Sequence, residues 1–448
     1  MKSPELLAPA GTLEKMRAAY DFGADAVYAG QPRYSLRARN NEFGLEQLAT
    51  GIAEAHAHGR KFFVASNLMP HNAKVKTYLD DMAPVIAMQP DALIMADPGL
   101  IMMVRERWPE MPIHLSVQAN TVNYAAVKFW QALGLTRVIL SRELSLDEIA
   151  EIRQQCPDME LEVFIHGALC IAYSGRCLLS GYFNHRDPNQ GTCTNSCRWD
   201  YKVHDAAEDV AGVIRLKDFD LRAEMEKSSL SDCGDLPRHP EADKVYLIEE
   251  RNRPGELMPV MEDEHGTYIM NSKDLRAVEH VARLMEIGVD SLKIEGRTKS
   301  LYYVARTCQV YRRAIDNAAA GKPFDYTLLA ELEGLANRGY TDGFYERHHT
   351  AEHQNYLKGF SESGRSQYVG DVIGFDAASG MAEIEVKNRF LVGDCLEIIH
   401  PEGNRKMVVE ALYDEAGASV EQASGSGHRV RMAMPGGDAN RALLARML

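Results

Sequence analysis

Eight short apolar runs, separated by segments of helical period, occupy the first 320 residues and leave few folds open. They are Glu5–Pro9, Ala26–Gly30, Phe62–Asn67, Ala92–Asp97, Ile113–Gln118, Arg137–Ser141, Leu161–His166 and Ser291–Glu295. Several of the helical segments close on a glycine (Gly23, Gly59, Gly134, Gly288), the residue that best accepts a left-handed C-cap before a strand. Eight βα units predict an α/β fold, a closed (β/α)8 TIM-like barrel. A doubly wound sheet is the alternative, because the repeat alone does not show closure.

In parallel α/β folds, chemistry collects where strands end. Those ends carry Asn67, Asp97, Gln118 with Asn120, Arg142 with Glu143, His166, and Glu295 with Arg297. We take His166, Glu143 and Glu295 as candidate catalytic groups, since carboxylates and imidazoles move protons. The substrate-binding candidates are Arg33, Arg37, Gln118, Asn120, Arg142 and Arg297. The arginine clusters Pro32–Asn41 and Ile294–Tyr303 join bidentate anion donors to aromatic rings, which suits an anionic substrate or an RNA base. Solvated loops with ordinary charges are the plainer reading of the same residues.

The repeat breaks once. Residues 1–320 form the barrel domain, and 167–262 form a long insertion within it. Barrel loops this long are usually functional. Residues 321–365 look like a connector. The short, alternating, turn-bounded runs of 366–448 predict a small antiparallel β-barrel domain.

Within the insertion lie Cys170, Cys177, Cys193 and Cys197, spaced by six, fifteen and three residues. Four thiolates suit a tetrahedral zinc or an iron–sulfur cluster. Structural zinc favours two tight pairs, and only the last pair here is close to that spacing. A cluster tolerates irregular spacing, because each thiolate meets a different iron. Unligated thiols are the third reading. Cys233 is the alternative for one ligand position. Cys156, Cys308 and Cys395 read as packed small hydrophobes, and His348, His349 and His353 as a solvated face.

The N-terminus shows no signal-peptide pattern and no apolar run is long enough for a membrane helix, so a cytoplasmic protein with reduced thiols and no membrane partner is expected. The net charge of −14 argues against a general nucleic-acid footprint, though not against a local basic face. There is no H-E-x-x-H, P-loop, G-x-G-x-x-G or G-x-S-x-G motif.

Several segments together are recognisable. They are Pro4–Gly11, Gly23–Tyr28, His166-Gly167-Ala168-Leu169-Cys170, Cys193-Thr194-Asn195-Ser196-Cys197-Arg198-Trp199 and Lys293–Arg297. The chain resembles the collagenase-like peptidases, family thirty-two of the peptidases of unassigned mechanism, over nearly its whole length. The resemblance implies hydroxylation chemistry on tRNA, ribosomal RNA or a quinone precursor. In the branch it resembles most, the product is 5-hydroxyuridine at the tRNA wobble position and prephenate is the co-substrate. That branch depends on an iron–sulfur cluster, of the 4Fe-4S type, whose ligands map onto Cys170, Cys177, Cys193 and Cys197. The implied partners are the tRNA anticodon loop and prephenate, and an electron-donating or accessory protein is left open. The rival readings are a peptidase, as the family name says, a hydroxylase of ribosomal RNA or a quinone precursor, and a non-catalytic RNA-binding protein with structural zinc.

Overall fold

The computed structural model describes residues 2–36, 42–169, 273–337, 339–346, 366–425, 427–435 and 439–447, and the backbone of short strands between 201 and 267. The eight runs form parallel strands: β1 (Glu5–Pro9), β2 (Ala26–Gly30), β3 (Lys61–Ser66), β4 (Ala92–Met95), β5 (Ile113–Leu115), β6 (Arg137–Ile139), β7 (Glu160–Ala168) and β8 (Ser291–Ile294). Each pairs with the next, and β8 also pairs with β1, so the sheet closes into a barrel. Closure excludes the doubly wound alternative. Gly23, Gly59, Gly134 and Gly288 all take positive φ at helix ends, as the pattern predicts.

Several strands stop earlier than their apolar runs. Asp97 leaves β4 to cap helix Pro98–Arg107, its carboxylate accepting from the Leu100 amide at 2.9 Å. Gln118 sits in a 3-10 turn, Val117–Ala119, that Asn120 ends in the left-handed region at φ 50°. By contrast, β7 runs two residues past His166. There it pairs antiparallel with a short strand, Asp274–Arg276.

The stretch read as a connector is partly built into the barrel. It holds helix Thr327–Glu333 and strand Tyr340–Thr341, which adds to the sheet beside Asp274–Arg276. In the insertion, strands Tyr201–Glu208, Ile214–Leu216, Tyr246–Glu250 and Leu257–Val260 form a separate antiparallel sheet. Cys170, Cys177, Cys193, Cys197, Cys233, Arg37, His348, His349 and His353 all lie outside the described residues.

The C-terminal region is an eight-stranded antiparallel sheet around its own apolar core. Its edge strands, Arg405–Val408 and Ser419–Val420, do not pair with each other among the described residues, which makes it a half-barrel. It docks on helix Leu301–Ala319. Arg306, 2% exposed, joins Glu331 of the barrel domain to Glu397 of the half-barrel. Gln309 donates to the His400 carbonyl at 2.8 Å. Cys156 and Cys308 are buried, as expected. Cys395 is exposed, a correction: it opens its strand at an outward position. Among the described residues no helix is long and apolar enough to cross a membrane.

A candidate substrate site at the barrel mouth

Alternation along β8 puts Ser291, Lys293 and Glu295 on one face, toward the barrel axis. The axis is lined with charge. At the strand starts, Arg137 reaches Glu5 across the barrel at 2.6 Å and Glu162 at 3.0 Å. One layer higher, Lys293 donates to the other Glu162 oxygen at 2.8 Å. Glu162 is fully buried, and burial pulls Lys293 below the usual lysine value despite that partner.

Above this column lies an aromatic floor. The Lys293 ammonium is 4.4 Å from the Tyr28 ring centroid and 5.4 Å from that of Phe164. Arg142 lies over Phe164 at 3.8 Å and Arg297 over Tyr28 at 5.7 Å. Glu295 joins the two sides, accepting from the Tyr28 hydroxyl at 3.3 Å and lying 3.8 Å from Arg142. Arg142 donates to the Ala168 carbonyl at 2.8 Å, and Arg297 to the Leu36 carbonyl at 2.7 Å. These carbonyl contacts fix both guanidinium groups, and that of Arg142 lies beside the Glu295 carboxylate. Gly30 leaves room for Arg297, since a Cβ there would come 2.6 Å from its Nη1.

The other predicted residues divide. Gln118 accepts from Asn67 at 2.9 Å and from Ser116, and Ser141 donates to Glu143; these polar pairs also sit at strand ends. Arg33 stands apart, half exposed and paired with Asp81 at 2.7 Å. Asp97 is consumed as a helix cap.

His166 is placed elsewhere than at the mouth. The β7–β8 register pairs Lys293 with Phe164 but Ile294 with His166, so Ile165 is an extra, bulged residue. The imidazole packs among Tyr303, Tyr311 and Tyr340, with ring centroids 5.4–5.7 Å away. The Tyr311 hydroxyl donates to the Ile165 carbonyl at 2.7 Å, so its contact with His166 Nδ1 at 3.3 Å needs the proton on Nδ1. Nε2 is buried without a hydrogen-bond partner. Burial drives the pKa down to about 3, and the imidazole is neutral at physiological pH.

Gly167 follows at φ 106°, and a Cβ there would lie 2.5 Å from the Glu295 carbonyl oxygen. Gly167→Ala is expected to cost about 2–4 kcal/mol, from backbone strain plus the clash. Urea unfolding checks it, and an unchanged midpoint would contradict the packing described.

The residues that the strand-end reading missed are Tyr28 at the mouth and, in the buried column beneath it, Lys293 and Glu162. The alternation Glu160-Leu161-Glu162 and Ser291-Leu292-Lys293-Ile294-Glu295 was the available signal, since a charge at every second position marks one strand face.

A closed parallel barrel with two arginines, a carboxylate and aromatic rings at its strand ends, joined to a β half-barrel, defines the class: a (β/α)8 protein with a charged, ring-lined mouth. The chain belongs to peptidase family U32, whose profile matches residues 11–355, with the family's C-terminal domain matching 364–446. It is 61% identical to tRNA hydroxylation protein P of Escherichia coli K12 over 97% of this chain and 94% of that one. It is 59% identical to the protein of the same name from Haemophilus influenzae, over 99% and 96%. A protein called collagenase from Porphyromonas gingivalis is 28% identical over 89% and 86%.

Proposed function

We propose that this chain hydroxylates the wobble uridine of tRNA to 5-hydroxyuridine, in a prephenate-dependent reaction that uses an iron–sulfur cluster. The observation that carries the tRNA reading is 59–61% identity, over nearly the whole length, to two proteins named for tRNA hydroxylation. The peptidase reading rests on the family's name and on relatives of 28–34% identity named as a collagenase and an uncharacterized protease, which is weaker support.

In this reading Arg142 and Arg297 hold the prephenate carboxylates, a task that suits planar bidentate donors fixed over aromatic rings. Glu295, within reach of Tyr28 and Arg142, takes or returns a proton at the reacting base. Gln118, Asn120 and Glu143 read polar base edges. The neutral His166 positions the strand that leads into the cysteine segment. Cys170, Cys177, Cys193 and Cys197 would hold the cluster, which supplies redox or Lewis-acid chemistry when bound. The anticodon loop is single-stranded, so presenting one base costs little unstacking energy.

Arg142→Ala and Arg297→Ala are each expected to weaken prephenate binding by about 10–100-fold, the loss of one charge-assisted contact. Calorimetric titration of the anaerobic protein measures it. The whole reading is tested in a strain lacking this gene and any parallel oxygen-dependent route. Wild type should restore 5-hydroxyuridine in total tRNA and Cys193→Ala should not. Persistence of the nucleoside in the uncomplemented strain would sink the assignment.

A further inference from the structure

A cleft of about 550 Å³ separates the barrel from the half-barrel. We infer that it holds the sugar–phosphate backbone of single-stranded RNA beside the barrel mouth, an inference that rests on the tRNA reading above. Lys299 and Ser300 line it from the barrel side, and Gln367, Tyr368 and Arg446 from the half-barrel. Lys299 is two residues beyond Arg297, in the loop leaving β8, so the cleft adjoins the strand ends that form the mouth.

Charge complementarity selects the occupant. The chain carries a net charge of −14, yet among the described residues this cleft is lined by one cation from each domain and by no carboxylate, the nearby Asp371 being held behind the wall by the Tyr368 hydroxyl. Two other cavities differ. The one at the strand starts sets Asp91, Asp158 and Glu160 beside Lys61 and Arg137, and the one on the half-barrel sets Asp376 and Glu383 beside Arg431, so each cavity offers its cations carboxylates in its own lining. Arg446 is held in place by Gln367 at 2.7 Å and, from outside the lining, by Asp394 at 3.5 Å. Its Nε is buried without a hydrogen-bond partner. Helix Leu301–Ala319 begins here, adding the partial positive charge of its N-terminus.

The wall is also aromatic. Tyr302 and Tyr368 stack across the domain junction with centroids 5.1 Å apart and planes 10° apart. Tyr302 is buried and backs the half-exposed Tyr368, and a fixed, accessible ring beside cations suits a nucleic-acid strand. The junction is rigid by construction, since Tyr302 also contacts Ser366 at 3.3 Å and Arg306 ties both domains. A base in the mouth and its neighbouring phosphate in the cleft would thus keep a fixed spacing.

The test is binding of a labelled anticodon stem–loop RNA across a salt series. The proteins compared are wild type, Lys299→Ala, Lys299→Arg, Arg446→Gln and the Lys299→Ala/Arg446→Gln double variant. Each loss of a cation should weaken binding several-fold and lower the slope of log affinity against log salt by about 0.7, the value for one single-strand phosphate contact. Lys299→Arg should retain the wild-type slope, and the unfolding midpoint of Lys299→Ala should not move. If wild type binds the RNA and the double variant matches it in affinity and slope, the cleft assignment is overturned while the tRNA reading stands. If wild type does not bind the RNA at all, both fall. Competition of the cleft by a collagen-like peptide, lost in Lys299→Ala, would also overturn it by naming a different occupant.

Discussion

Glu162→Ala is expected to lower folding stability by about 3–5 kcal/mol, because it leaves buried positive charge without its partner. Glu162 is fully buried, and its two oxygens hold Lys293 at 2.8 Å and Arg137 at 3.0 Å. Arg137 keeps Glu5 and Glu160 after the change, so Lys293 bears most of the loss. Its pKa already lies below the usual lysine value because of burial, and losing Glu162 lowers it further. Between the depressed folded value and the unfolded one, the unfolded chain binds more protons. The variant should therefore regain stability relative to wild type as pH rises through that window. Adding Lys293→Met should recover much of the loss, since removing both charges removes the imbalance. Urea unfolding of the single and double variants measures this. A Glu162→Ala cost under about 1 kcal/mol would place the pair in water rather than in the barrel core.

The second large effect is acid lability from His166. Its folded pKa is about 3, against 6.5 for the free side chain, and burial is the main cause. Between those values the unfolded chain takes up a proton that the folded chain refuses. The contribution is complete above the unfolded value and is lost as pH falls toward the folded one. The loss reaches about 2 kcal/mol by pH 5 and about 4–5 kcal/mol near pH 3. His114 acts in the same direction. It is buried near Arg137 and Lys293, with its Nδ1 unpartnered, and its pKa lies well below the normal value. His166→Asn keeps a donor near Tyr311 and cannot titrate. The stability difference between wild type and this variant should change with pH below about 6.5 and level off above it. A pH-independent difference would mean that the imidazole is solvated.

The barrel was legible because eight apolar runs and their glycine caps report local preferences that tertiary packing did not override. Glu162 and Lys293 were not read as interior residues because the runs were counted as apolar, while their period-two charges mark a polar barrel axis. The direction of the His166 side chain was not legible for a different reason. Its direction depends on the bulge between β7 and β8, a register shift between strands far apart in sequence, with no local signature. Asp97 and Arg33 sit where the pattern puts them, but a helix cap and an ion pair with Asp81 already occupy them. Arg142 and Glu295 do come together, because the segments leaving β6 and β8, the strands on either side of β7, converge at one end of the closed sheet, and Arg297 follows Glu295 in that same segment.

The reaction proposed for this chain adds an oxygen to a tRNA base. Its most direct measurement is mass spectrometry of a defined tRNA carrying a wobble uridine, after incubation with anaerobically purified, iron-loaded protein and prephenate in desalted extract of the strain lacking this gene, which supplies any redox partner or accessory protein. The account predicts a mass gain of one oxygen atom on the wobble nucleotide, absent without prephenate and absent with Cys193→Ser. An unmodified tRNA from protein shown to contain its cluster and to bind prephenate would contradict it.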